Sequence, residues 1–273
     1  MSEASILPID QRAITGPFDI IGDVHGCADE LVELMGRLDY VVSFATSGAQ
    51  RRAQVSPPSG RRAVFVGDLV DRGPSSPDVL RIVMAMVEAG QALCVPGNHD
   101  AKFVRWLAGH DVKPTHGLDQ TLAQMAREPP EFHMAVRAFF EGLASHVWLD
   151  EGRLVVAHAG IKAEMIGQTS PQVRRFCLYG DTDGKTDAYG LAIRYNWAAA
   201  YRGAPSVVYG HTPVLEATTL ANTHCIDTGC CFGGKLTALR WPELDLVAVS
   251  ARAPYAERRR PFGLPAARPV GEG

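Results

Sequence analysis

Short apolar runs alternate with amphipathic stretches in the first half of the chain. The runs at residues 18–21, 63–66 and 92–95 predict buried strands, and each is followed by a loop that contains glycine. Apolar residues then recur at helical spacing, which predicts helices at 28–38, at 76–89 and around Phe103, Val104 and Leu107. Repeated units of strand, loop and helix predict a largely parallel sheet that is covered by helices.

The second half of the chain has a different pattern. Its short apolar runs are separated by turns, which predicts a second and more antiparallel sheet from residues 154–157, 207–209, 224–226, 235–240 and 246–249. Residues 110–147 have a helical pattern that is broken at Pro114 and at Pro129 and Pro130, which predicts a small helical cap. Residues 41–60 are rich in Ser, Gly, Pro and Arg, and they predict an insertion with one short strand at its start.

These patterns predict one large domain with two extensions. Residues 1–17 show no periodicity and are interpreted as an N-terminal arm, and residues 18–250 form the domain. Residues 251–273 are rich in Pro and Arg and are predicted to be a disordered tail.

Composition narrows the class of protein. The apolar fraction of 46% is that of a globular protein, and no apolar run approaches the roughly 20 residues of a membrane span. With no signal-peptide pattern at the N-terminus, we expect a cytoplasmic protein. The net charge of -3 argues against broad coating of nucleic acid, although it permits binding of a single phosphate group. The six cysteines lack C-x-x-C spacing and are expected to be reduced and buried.

Candidate chemistry is concentrated at the ends of the apolar runs, where α/β sheets present side chains to ligands. Five segments that contain glycine carry these side chains: GDVHG with Asp23 and His25, GDLVDRG with Asp68, Asp71 and Arg72, GNHD with Asn98 and His99, AHAG with His158, and GHT with His211. Converging carboxylate, amide and imidazole groups would be costly to desolvate without a positive centre. Manganese, iron or zinc suits this set of side chains. Two metal ions that share Asp68 would use all six candidate ligands.

The ordered set of segments resembles the signature of the calcineurin-like metallophosphoesterases, in the branch with phosphoprotein phosphatases and diadenosine tetraphosphatases. More narrowly, FDIIGDVHGC, VFVGDLVDRGP, LCVPGNHD, LVVAHAGIK, VVYGHTP and IDTGCCFGGKLTALR are similar to the phosphatase module of bacterial polynucleotide kinase-phosphatase. The resemblance implies a four-layer α/β fold, in which two mixed β-sheets are sandwiched between helices, with a small helical cap. No GxxxxGK(S/T) phosphate loop occurs, so kinase or ligase functions would come from separate partners.

The resemblance also implies a role for each residue at the strand ends. Asp23, His25 and Asp68 would bind the first metal, and Asp68, Asn98, His158 and His211 the second, with manganese expected and iron, zinc or nickel as alternatives. His99 would be the general acid, with Asp71 as its partner, and Arg72 would grip the phosphoryl oxygens. Asp227 would be a further active-site acid that adjoins the metal ligands without binding a metal itself. The branch has a second phosphate-binding cation, for which Lys162, Arg174, Arg175 and Arg194 are the candidates.

The function that the resemblance implies is hydrolysis of a phosphate ester by a metal-activated hydroxide. The main hypothesis is a phosphomonoesterase that removes 3′- or 2′-phosphates from nucleic-acid ends or nucleotides and opens 2′,3′-cyclic phosphates. The alternatives are a diadenosine tetraphosphatase, a serine/threonine phosphoprotein phosphatase, and a non-catalytic scaffold with the same fold. Among the remaining histidines, His116 in the loop near the cap is the candidate for substrate contact.

Overall fold

The computed structural model describes residues 8–47, 50–266 and 268. Its first sheet has five strands in the order β12-β11-β1-β4-β5. These strands are β1 (Phe18–Ile21), β4 (Arg62–Phe65), β5 (Ala92–Cys94), β11 (Lys235–Trp241) and β12 (Asp245–Ser250). β1, β4 and β5 are parallel to one another, as the repeated units predict, while β11 is antiparallel to both β1 and β12.

The assignment of residues 235–240 and 246–249 to the second sheet is therefore wrong. β11 pairs with β1, with Ile20 opposite Leu239 and Ile21 opposite Ala238, and so extends the first sheet. Leu239 packs between the two sheets, whereas Ala238 packs toward the helices. Both faces of the strand are buried, so its apolar pattern does not reveal which sheet it joins.

The second sheet also has five strands, in the order β6-β7-β8-β10-β9. They are β6 (Val147–Leu149), β7 (Leu154–Val156), β8 (Ser206–Tyr209), β9 (Thr218–Leu220) and β10 (Thr223–Cys225). β7, β8 and β10 are parallel, and the edge strands β6 and β9 are antiparallel to their neighbours. Each sheet thus has two parallel and two antiparallel pairings, so the prediction that the second sheet is more antiparallel than the first is wrong. The long connection between β7 and β8 permits the parallel pairing.

Helices cover both outer faces of the pair of sheets. α1 (Ala28–Arg37), α2 (Ser76–Glu88) and α3 (Asn98–Leu107) contribute to one core with the first sheet, and α6 (Pro171–Tyr179) contributes to another with the second sheet. A third core, which includes Ile20, Val64, Val156 and Val208, lies between the two sheets. The predicted sandwich of two mixed sheets between helices is confirmed. The predicted cap contains α4 (Leu118–Met125) and α5 (Pro130–Glu141).

Residues 41–60 form a hairpin with two strands instead of one. β2 (Val41–Ser47) pairs antiparallel with β3 (Gln50–Ser56), and residues 48–49 lie outside the described residues. Among the described residues, no helix has the length and apolar character needed to cross a membrane.

The described parts of both ends of the chain pack on the domain. Residues 1–7 of the predicted arm lie outside the described residues, and Gln11 N donates to Trp148 O at 2.9 Å on β6. Of the tail predicted to be disordered, residues 267 and 269–273 lie outside the described residues. The rest contacts the domain, where Tyr255 Oη donates to Glu30 Oε1 at 2.7 Å and Gly263 N donates to Pro213 O at 2.9 Å.

Candidate metal and phosphate site

The loops that follow β1, β4, β5, β7, β8 and β10 meet at one end of the two sheets. Two glycines allow the loops to approach closely, since a Cβ on Gly97 would lie 2.0 Å from Asp68 Oδ1 and one on Gly210 would lie 1.8 Å from Asp23 Oδ1. His25, Asp68, Asp71, Arg72 and His211 all have positive φ angles, between 46° and 74°. Strained backbone of this kind is held in place by the surrounding packing, and it clusters at functional sites.

Asp68 lies between two groups of potential ligands. Its Oδ2 atom is 3.4 Å from His25 Nε2 and 3.5 Å from His158 Nε2, while its Oδ1 atom accepts a hydrogen bond from His99 N at 2.9 Å. The two groups are His25, Asp68 and His99, and Asp68, His158 and His211; within each, the ligand atoms lie within 4.8 Å of one another. Asp68 is thus placed to be shared by both groups.

Second-layer hydrogen bonds orient two of the histidines. His25 Nδ1 donates to Val70 O at 2.9 Å, and His158 Nδ1 donates to Val66 O at 3.0 Å. Each imidazole therefore turns an unprotonated Nε2 into the site, as metal-binding histidines do. Burial lowers the pKa of His158 to about 3, which keeps its ring neutral.

Two buried acceptors in the site, Asp23 Oδ1 and His211 Nε2, have no hydrogen-bond partner among the described residues. His211 Nδ1 donates to His158 Nε2 at 3.0 Å, and His158 Nε2 also lies 3.1 Å from Asn98 Oδ1. A buried acceptor without a hydrogen bond is unfavourable, and binding a metal ion removes this cost. The set of oxygen and nitrogen atoms therefore fits divalent metal ions.

The buried carboxyl groups of the site have too little positive charge around them to keep their pKa values in the usual range. Burial raises the pKa of Asp68 to about 6, and burial raises that of Asp227 to about 6. Burial, with Asp227 and Asp68 nearby, raises the pKa of Asp23 well above its usual range. Asp23 belongs to neither compact group; its Oδ2 accepts from His211 N at 3.0 Å. Asp227 Oδ1 accepts from Gly229 N at 3.0 Å.

A second constellation lies beside these ligands. Asp71 Oδ2 is 2.6 Å from His99 Nδ1, and Arg72 contacts two imidazoles, with Nη2 at 2.9 Å from His99 Nε2 and Nη1 at 2.7 Å from His25 Nε2. The Arg72 guanidinium is thus the cation that faces these nitrogens, and it must withdraw for His25 Nε2 to bind a metal.

Two further residues adjoin the site: Thr121, which was not identified from the sequence, and Arg194, which was named only as one of four candidate cations. Thr121 Oγ1 donates to Asp71 Oδ1 at 2.8 Å and accepts from Asp71 N at 2.9 Å, which ties the cap to the site. Arg194 is half-buried, and its Nη1 donates to His211 O at 2.7 Å. Burial and Arg260 lower the pKa of Arg194 to about 10, while Asp227 and Asp68 favour its charged form.

The other three candidate cations have different surroundings. Lys162 Nζ lies 5.5 Å from the centre of the Phe176 ring, and Arg174 and Arg175 are exposed on α6. No sequence signal separates Arg194 from them, because a bridge between Asp181 and Tyr195 positions its loop. Thr121 has no distinguishing signal either, since it occupies a buried position of an amphipathic helix.

Comparisons with known proteins show which proteins and which fold the chain is similar to. A family model described as calcineurin-like phosphoesterase matches residues 16–249. The asymmetrical bis(5′-nucleosyl)-tetraphosphatase PrpE of Anoxybacillus flavithermus is 44% identical over 250 residues, which cover 90% of this chain and 99% of that protein. The protein of the same name from Geobacillus thermodenitrificans is 45% identical over 249 residues, covering 89% and 98%. A serine/threonine phosphatase structure from Saccharomyces cerevisiae, similar to human PP5, shares the fold with a TM-score of 0.58 and 12% identity, covering 93% and 85%.

Proposed function

We propose that this chain, which belongs to the calcineurin-like phosphoesterase family, hydrolyses bis(5′-nucleosyl) tetraphosphates asymmetrically, into a nucleoside triphosphate and a nucleoside monophosphate. The observation that carries the proposal is the identity of 44% and 45% with asymmetrical tetraphosphatases along 99% and 98% of their lengths. These relatives support the alternative that the sequence left open, and they do not support the main hypothesis of a polynucleotide 3′-phosphatase.

The proposal places two divalent metal ions, preferably manganese, on the ligands at the strand ends. Asp23, His25 and Asp68 would hold one ion, and Asp68, Asn98, His158 and His211 the other. The position of Asp68 Oδ2 between His25 and His158 and the unpartnered Asp23 and His211 atoms support this assignment. Bound ions would supply an activated nucleophile and neutralise charge on the phosphoryl group.

The side chains of the protein supply the remaining parts of the reaction. Arg72 and Arg194 are proposed to hold the phosphoryl oxygens, since both guanidinium groups adjoin the ligand cluster. His99 is proposed to give a proton from Nε2 to the leaving oxygen, and Asp71, on the opposite nitrogen, to hold the ring in that orientation. Thr121 positions Asp71 through its two hydrogen bonds with that residue. Asp227 is proposed to adjoin the metal ligands without binding a metal itself.

A panel of three substrates tests the proposal. The purified full-length chain with Mn²⁺ is given diadenosine tetraphosphate, a 3′-phosphorylated oligonucleotide and a phosphopeptide. We expect the tetraphosphate to have the highest kcat/KM, with equimolar ATP and AMP as its products. ADP as the sole product would contradict asymmetrical cleavage.

The other outcomes of the panel separate the alternatives. Preference for the oligonucleotide would restore the hypothesis of a nucleic-acid phosphatase that works with a separate kinase or ligase, and preference for the phosphopeptide would favour a protein phosphatase. Failure to bind Mn²⁺ together with failure to hydrolyse any substrate would favour the non-catalytic scaffold. The cytoplasmic location stays a prediction from the sequence.

A further inference from the structure

A set of polar groups outside the proposed catalytic residues begins on α3. Lys102 follows His99 by three positions, so the two side chains share a face of that helix. Lys102 Nζ donates to Thr115 O at 2.7 Å and to Thr115 Oγ1 at 3.1 Å, which holds the loop that leads into α4. Because His99 is the proposed general acid, Lys102 lies on the side of the site from which a leaving group would depart.

The loop held by Lys102 also packs against Arg72. A Cβ on Gly117 would lie 2.5 Å from Arg72 N, so only glycine permits this approach. His116, immediately before it, is exposed and has a φ angle of 64°. His116 is therefore exposed between Thr115, which Lys102 contacts, and Gly117, which packs against Arg72.

The C-terminal tail borders the same side of the site. The rings of Phe262 and Phe232 pack together with their centroids 6.1 Å apart. The guanidinium group of Arg72 also contacts Phe232, at 4.9 Å from the ring centre. A Cβ on Gly229 would lie 2.4 Å from Phe262 Cζ. These contacts fix residues 258–262 beside the loop that carries Asp227.

The three arginines of this tail segment have different surroundings. Arg258 lies over the Phe262 ring at 4.7 Å, and Arg260 pairs with Asp187. Arg259 is exposed and, within the part of the chain that the structure describes, makes no ion pair. Burial lowers the pKa of His116, and the charges of Lys102, Arg259 and Arg72 lower it further. The acidic groups that act on Lys102 are Asp71 and Asp119.

We propose that Lys102, His116 and Arg259, here called the leaving-group flank, bind the polyphosphate of the departing nucleotide. We place the attack of water on the phosphorus of the monophosphate product, so that its bond to the bridging oxygen breaks and the nucleoside triphosphate departs with the proton from His99. A cation without an acidic partner beside an active site attracts such an anion. The inference rests on the proposed function, because His99 defines the departure side. It adds a binding site for phosphates that do not react.

Inhibition by inorganic phosphates tests the flank without using the tetraphosphate. Hydrolysis of p-nitrophenyl phosphate at fixed free Mn²⁺ is inhibited with orthophosphate or with inorganic tripolyphosphate. We expect Arg259→Gln and Lys102→Gln to raise the Ki of tripolyphosphate about fivefold to tenfold, with a change below about twofold for orthophosphate. Arg252→Gln is the matched control, because Arg252 is exposed in the same tail but pairs with Asp29.

The outcomes separate the two proposals. An unchanged tripolyphosphate Ki in Arg259→Gln, or equal changes for both inhibitors, would overturn the flank even if the wild-type protein cleaves diadenosine tetraphosphate. If the wild-type protein does not cleave the tetraphosphate but the variants selectively lose inhibition by tripolyphosphate, the result would support the leaving-group flank and contradict the proposed substrate. Arg259→Gln decides the matter if Lys102→Gln disturbs the Thr115 loop.

Discussion

Asp71 Oδ2 lies 2.6 Å from His99 Nδ1, and this contact turns the opposite nitrogen of the imidazole toward Arg72 and the ligand cluster. Both side chains are buried. Asp71 is itself held by Thr121, so its hydrogen bond with His99 keeps the imidazole in one orientation. The pair is therefore built to aim His99 Nε2 at a group in the site.

We expect His99→Asn to reduce hydrolysis of substrates with poor leaving groups far more than that of activated ones. A positioned general acid contributes roughly 10²- to 10⁴-fold, and an alkyl phosphate depends on it more than p-nitrophenyl phosphate does. The measurement is kcat for both esters, with manganese content determined by elemental analysis as the control. Equal losses on the two esters would remove His99 from the general-acid role.

Thr121 should act on the same reaction through Asp71. Thr121→Val keeps the shape of the side chain but leaves Asp71 Oδ1 without its donor, so we expect turnover of the alkyl phosphate to fall several-fold. Unfolding should also become easier by about 1–3 kcal/mol, the cost of a buried unsatisfied group. Thr121→Ser retains the hydroxyl and should recover most of the activity. A serine variant as impaired as the valine variant would point to packing instead.

The candidate ligands at strand ends could be placed because each follows an apolar run in a segment that contains glycine. His158 and His211 follow β7 and β8 directly, and the local pattern is enough to place them. Thr121 could not be predicted, and Arg194 could not be separated from the three other candidate cations. Their positions depend on how the cap and a long loop fold back on the site. The same limit applies to β11, whose sheet is decided by pairing with a strand more than 200 residues earlier.

Metal binding should stabilise the fold through Asp68. Several buried carboxylates converge there, so Mn²⁺ should bind the native state and not the unfolded chain. A ligand that does so at about 100 times its Kd stabilises the native state by about 2.7 kcal/mol. For a chain of this size we expect a rise in Tm of roughly 5–10 °C. Differential scanning fluorimetry should show that Asp68→Asn abolishes the rise, whereas Asp29→Asn, on the surface, preserves it. A full Mn²⁺ shift in Asp68→Asn would exclude Asp68 as a shared ligand.

Glycine at position 210 should be required for metal binding. The methyl group in Gly210→Ala would collide with the Asp23 carboxylate, because the Cβ position lies 1.8 Å from Oδ1. We expect Mn²⁺ affinity, measured by calorimetry, to fall by about tenfold or more. Gly36→Ala is the control, since its Cβ would meet no atom within 4 Å and the helix should gain up to about 1 kcal/mol. Unchanged affinity in Gly210→Ala would show that Asp23 can shift without loss.

His146 should make the stability of the fold depend on pH, independently of the metal site. It is buried, its Nε2 accepts from Gly167 N at 3.1 Å, and burial lowers its pKa to about 4. Because the unfolded chain takes up this proton near pH 6.5 and the folded chain does not, stability present above that pH is lost as pH falls toward 4. The loss should reach about 2 kcal/mol at pH 5.

His146→Gln can keep the acceptor for Gly167 but cannot take up the proton. We therefore expect its free energy of unfolding to decline less than that of the wild type between pH 7.5 and pH 5. Urea unfolding in the presence of EDTA measures this difference without a contribution from bound metal. The variant loses the shape of the imidazole, so its stability at pH 7.5 should be lower, and only the change with pH bears on the prediction. Parallel declines in the two proteins would mean that His146 is protonated in the folded state as readily as in the unfolded one.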